Sequence, residues 1–149
     1  YCVSGGTELG KGEENYNDRL YFNDGKGNFT LNTQSLPVIR ASGSCVIGHD
    51  FDRDGDVDLF IGGRIKPGSY PLPPNSYVLQ NNGNGVFADI TDTVAPGLRT
   101  IGMVTSAIWT DFNNDTWPDL MVVGEFMPIT FFKNEGGKKL INDVALTLD

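Results

Sequence analysis

One ten-residue pattern occurs twice in the chain. Asp50-Phe-Asp-Arg-Asp-Gly-Asp-Val-Asp-Leu59 returns 61 positions later as Asp111-Phe-Asn-Asn-Asp-Thr-Trp-Pro-Asp-Leu120. A second element recurs at a related offset: Leu20-Tyr-Phe-Asn-Asp-Gly-Lys-Gly-Asn-Phe29 matches Val78-Leu-Gln-Asn-Asn-Gly-Asn-Gly-Val-Phe87, 58 positions on. A looser third copy runs from Phe131 to Gly137. Self-similarity at a fixed period means that like units stack, because one unit alone cannot bury its apolar faces.

The units are built of strands. No long window carries apolar residues at the helical spacing i, i+3, i+4, i+7. The apolar runs are short, rich in β-branched and aromatic residues, and punctuated by Gly, Asn, Asp and Pro: Val57–Ile61, Tyr77–Leu79, Leu120–Val123 and Ile129–Phe132 are examples. Asp24-Gly25 and Asn82-Gly83 supply the positive φ angles of tight hairpins. Each repeat therefore reads as strand, acidic loop, strand, connection, strand, Gly-rich hairpin, strand. The fold class is all-β.

Four antiparallel strands in about 60 residues make one blade of a β-propeller. The 149 residues then hold about two and a half blades in a single partial propeller: a blade end over 1–36 and fuller blades over 43–98 and 103–146. The blade end lacks its first strand and acidic loop. Propellers close with about four to eight blades, so the remaining blades are expected from a longer chain or from further copies in a homo-oligomer. The Pro-rich Lys66–Pro74 stretch is expected as an exposed loop between the second and third strands of its blade. Gly5–Asn17 is expected as the equivalent loop one blade earlier.

The acidic loops carry the chemistry. A hard dication needs several oxygens at about 2.3–2.6 Å, and alternate residues of a tight loop can converge. In the first loop Asp50, Asp52, Asp54 and Asp58 stand at positions 1, 3, 5 and 9, with Asp56 at position 7 offering its carbonyl and Gly55 easing the turn. Five carboxylates this close repel strongly unless a cation neutralises them. The second loop offers Asp111, Asn113, Asp115 and Asp119, with the Trp117 carbonyl at position 7. It has one carboxylate fewer at these positions, and Thr116 stands where Gly would ease the turn, so it is expected to bind more weakly. An all-oxygen, flexible ligand set favours Ca2+. The plainer alternative is that both loops are solvated turns. An EF-hand opens in the same way but needs helical flanks and a Glu at position 12; Ile61 and Val122 stand there.

The Asp-x-Asp-x-Asp-Gly-x-x-Asp-Leu loop followed by an Asn-x-Gly-x-Gly-x-Phe hairpin resembles the FG-GAP/VCBS repeat family, whose repeats form integrin-α-type β-propellers. The resemblance covers nearly the whole chain. It implies calcium in these loops, an extracellular, cell-surface or periplasmic setting, and a role in adhesion or in binding protein ligands. Some propellers of the family bind sugars or are joined to enzymes, which leaves a carbohydrate-binding or carbohydrate-active segment as the alternative.

Other chemistry is thin. The 11 Lys and Arg against 19 Asp and Glu leave a net charge of −8, which argues against a nucleic-acid partner. No apolar stretch is long enough for a membrane span. His49 is the single histidine and is expected to pack beside the first loop; without partners it builds no catalytic triad. No phosphate loop, nucleophile elbow or zinc pattern occurs, and the expectation is a module that is not an enzyme. Cys2 and Cys45 are expected as buried free thiols, Trp109 as core, and Trp117 as more exposed.

Overall fold

A computed structural model describes residues 1–7, 16–39 and 41–143. Its strands form three antiparallel sheets. The first is a hairpin of β1 (Leu20–Asn23) and β2 (Phe29–Asn32). The second runs in sequence order through β3 (Ser42–His49), β4 (Asp58–Ile65), β5 (Tyr77–Asn81) and β6 (Phe87–Asp89). The third repeats that order with β7 (Met103–Thr110), β8 (Asp119–Glu125), β9 (Thr130–Asn134) and β10 (Leu140–Asn142). The second and third sheets are four-stranded propeller blades, and among the described residues the sheets do not close into a ring. One short helical turn, α1 (Thr91–Val94), lies in the connection between the second and third sheets; the sequence gives it no periodic signal.

The repeat is carried into the register. His49 pairs with Asp58 at the mouth of the first acidic loop, and Thr110 pairs with Asp119 at the mouth of the second. Each pair of strands also slips register at its far end, around Gly43 and Cys45 in one sheet and between Val104 and Ser106 in the other. Just before the first sheet an isolated bridge joins Cys2 to Arg19, with amide-to-carbonyl distances of 2.7 and 3.0 Å in the two directions. Cys2 thus lies beside the strand leading into β1 as Ile61 lies beside Tyr77.

Successive side chains of a strand point to opposite faces, and β4 uses both. Phe60 enters one core with Phe51, Val78, Val104, Leu120 and Phe132. Its neighbours Leu59 and Ile61 enter the other, with Ile39, Tyr77 and Leu79. The second sheet is therefore packed on both faces, which is why its central strand reads as a continuous apolar run. Gly62 sets the approach to the third sheet: a Cβ there would lie 2.6 Å from Val104 Cγ1 and 2.7 Å from Cys45 Sγ. Ser44 Oγ crosses the same seam and donates to the Val104 carbonyl at 2.7 Å.

The Lys66–Pro74 stretch lies between β4 and β5 and exposes Tyr70 and Leu72. Of the Gly5–Asn17 loop, residues 8–15 fall outside the described ones, as do residues 144–146 at the end of the third blade. Both cysteines are free, but Cys2 is exposed and Cys45 only half-buried. The burial expected of Cys2 fails because its one strand neighbour among the described residues is the segment at Arg19.

Candidate metal centre

Each acidic loop connects the first two strands of its blade, and each is held by its own carboxylates. Asp50 Oδ1 accepts the Asp54 amide and its Oδ2 the Gly55 amide, both at 3.1 Å. Asp111 does the same for Asp115 at 3.1 Å and Thr116 at 2.8 Å. Asp54 accepts the Asp56 amide at 3.0 Å, and Asp115 the Trp117 amide at 2.9 Å. Such short-range bonds from Asp and Asn replace strand pairing where the chain must turn. The turn needs positive φ at two places, met by Arg53 and Gly55 (62° and 98°) in one loop and by Asn114 and Thr116 (61° and 75°) in the other.

The ninth residue of each loop is the most deeply placed. Asp58 and Asp119 open β4 and β8 and are fully buried. Asp58 accepts the Asn81 amide at 2.8 Å and the Phe51 amide at 3.4 Å. Asp119 accepts the Asn134 amide at 2.7 Å and the Phe112 amide at 3.2 Å. Burial pushes the Asp58 carboxyl up to about 7, and the charges of Asp52 and Asp54 add to this against the two amides. Burial also raises Asp119, with Asp115 and Asp111 adding. Each loop thus holds a buried carboxylate with no positive partner among the described residues.

Asp50, Asp52 and Asp58 each bring one carboxylate oxygen within 4.8 Å of the others. Two oxygens on one calcium at about 2.6 Å can be no more than about 5 Å apart, so this group fits one ion. Asp52 is steadied from outside the loop, where Gln80 Nε2 donates to its Oδ2 at 2.6 Å. Asp54 is exposed and stands outside the group of three. Asp56 is half-buried, with its carboxylate against the β5–β6 hairpin: a Cβ on Gly83 would lie 2.9 Å from Asp56 Oδ2.

The second loop copies these bonds, with one change of chemistry. Asn113 takes the place of Asp52, and its Oδ1 accepts the Asp115 amide at 2.8 Å. Its Nδ2 is buried without a hydrogen-bond partner among the described residues. Among those residues no second group of three carboxylates converges. The loop still offers oxygens from Asp111, Asn113, Asp115 and Asp119, in a weaker field.

The loops also touch each other. Arg53 reaches from the first loop to the Thr116 carbonyl and, at 3.2 Å, to Thr116 Oγ1. Its guanidinium lies 4.1 Å over the Trp117 ring, so Trp117 is partly covered by its neighbour. Trp109 stacks on Phe51 with centroids 5.9 Å apart, and exposed His49 sits beside it at 6.2 Å. Sequence reasoning missed Gln80, Asn81, Asn134 and Arg53 as supports of the site. The two asparagines were visible, as the first Asn of each hairpin copy, but read as turn residues.

No helix among the described residues is long and apolar enough to cross a membrane. No curated protein matches the chain. Residues 50–122, from the first acidic loop through the second, match the family model of the FG-GAP-like repeat. That match supports an FG-GAP-like repeat over this segment of the chain.

Proposed function

We propose that the chain is a calcium-binding propeller segment that works outside the cytoplasm as a binding module, with calcium in a structural role. The convergence of Asp50, Asp52 and Asp58 carries the reading. Asp50, Asp52 and Asp58 hold the ion in the first loop; Asp111, Asn113, Asp115 and Asp119 hold a weaker one in the second. The ion neutralises the carboxylates and pins the loop between the first two strands of its blade, so binding is linked to folding. Modular sites of this kind have a Kd of about 10⁻⁴–10⁻³ M, which fits the millimolar calcium found outside cells. The module binds rather than catalyses, and its partner is a protein ligand.

Further blades complete the propeller. The outer face of the third sheet supports this: Ile108 and Ile141 are exposed there, opposite the Trp109 and Leu140 side chains that face the core. A carbohydrate ligand is the second reading, favoured by exposed Tyr70, whose ring meets exposed Phe126 edge-on at 5.8 Å. A glycan array with the intact protein separates the two.

Terbium luminescence tests the metal reading, since Trp109 and Trp117 can sensitise a lanthanide bound nearby. Emission that calcium displaces, and that weakens in Asp52→Ala, supports it. Emission that calcium leaves unchanged contradicts it.

A further inference from the structure

We propose that the two acidic loops bind divalent cations as a linked pair, joined through Asn134 and Arg53, so that an ion in one loop raises the affinity of the other. The inference rests on the calcium reading above and adds a relationship between sites in successive blades.

The link is a short run of buried bonds. Asn134, at the end of β9, is buried. Its Nδ2 donates to the Phe51 carbonyl of the first loop at 2.8 Å and to the Pro118 carbonyl of the second at 2.9 Å. Its backbone amide donates to Asp119 Oδ1 at 2.7 Å. Phe51, whose carbonyl Asn134 holds, in turn gives its amide to Asp58 Oδ2 at 3.4 Å. Two prospective ligands in different blades, Asp58 and Asp119, are thus joined through Phe51 and one asparagine.

Two further contacts hold the loops together. The third blade's hairpin sits so close that a Cβ on Gly137 would lie 2.6 Å from Asp52 Cα, while the Gly137 amide donates to Asn134 Oδ1 at 2.8 Å. On the exposed side Arg53 grips the Thr116 carbonyl and the Trp117 ring. Trp117 carries the carbonyl that position 7 offers to an ion, and Thr116 immediately precedes it. An ion that fixes the first loop therefore fixes part of the second loop's ligand frame, and less ordering is left for the second ion. Coupling of this kind is reciprocal.

Calorimetric titration of calcium chloride into the chelator-stripped chain tests this, with Asp52→Ala and Arg53→Ala alongside. Arg53 is exposed, so its variant keeps the fold even if a change at buried Asn134 does not. The expected result is two sites, with the second weakened about fivefold or more when Asp52→Ala disables the first. Arg53→Ala should weaken the second site in the same direction while circular dichroism stays unchanged. Two sites that each ignore the loss of the other overturn the linkage and leave the calcium reading intact. Binding at the first loop alone also overturns the linkage. Absence of binding at both overturns the calcium reading and the linkage together.

Discussion

The Asn134 side-chain amide donates to the Phe51 carbonyl at 2.8 Å, across 83 positions of sequence. The same nitrogen also reaches Pro118 at 2.9 Å. Removing it leaves two buried carbonyls without their donor, at a cost of about 1–3 kcal/mol each. Asn134→Ala is therefore expected to lose about 2–6 kcal/mol in urea unfolding. Asn81, its counterpart one blade earlier, is only half-buried and gives its Nδ2 to Val57 alone, at 3.3 Å. Asn81→Ala should cost clearly less; equal losses would show that the bridge between loops contributes nothing beyond a local turn.

Asp58 makes the metal-free chain sensitive to pH. Its carboxyl is raised to about 7, first by burial and then by Asp52 and Asp54. An unfolded aspartate releases its proton near pH 4. Between these values the folded chain keeps a proton that the unfolded chain has lost, so stability falls as pH rises from about 4 to about 7. Denaturant melts of the chelated protein at pH 5 and pH 7 measure the slope. It should shrink in Asp58→Asn, and calcium should flatten it by replacing the proton with a dication. A slope that persists in that variant assigns the effect to another group.

Thr116 sits at a φ of 75° where the first loop has Gly55 at 98°. A β-branched residue is strained there, and glycine is not. Thr116→Gly should be neutral or stabilising by up to about 1 kcal/mol and should tighten calcium binding in the second loop. Binding weakened by the change would mean that the Thr116 hydroxyl, which Arg53 meets at 3.2 Å, matters more than the turn.

Gly62 gives a prediction about packing. A methyl there would press on Val104 across the seam between the second and third sheets, and on Cys45 in the neighbouring strand of its own sheet. Gly62→Ala should destabilise by about 1–3 kcal/mol through overpacking. The Gly55 position, where a Cβ meets nothing within 4 Å, serves as the contrast: its φ of 98° penalises alanine through the backbone alone.

Strand order was legible because the acidic loop and the hairpin recur, and each marks a fixed place in the blade. The same repetition explains why Asp58 and Asp119 receive matching amide bonds from Phe51 and Phe112. What could not be read are contacts that join different repeats. Arg53 sits 63 positions from its partner Thr116, and nothing local distinguishes it from a solvated arginine. Asn134 looks like any turn asparagine until the third sheet packs on the first loop. Cys2 follows the same logic in reverse: its strand-like surroundings suggest burial, but exposure depends on neighbours that the local sequence does not name.

Thermal unfolding of the chelator-stripped chain with millimolar calcium, and with magnesium at the same concentration, tests the metal reading most directly. A Kd of about 10⁻⁴ M at millimolar calcium adds roughly 1–2 kcal/mol for each filled loop. That should raise the midpoint by a few degrees with calcium, by much less with magnesium, and by much less in Asp52→Ala. Equal midpoints with and without calcium would contradict it and leave the acidic loops as solvated turns on the same propeller blades.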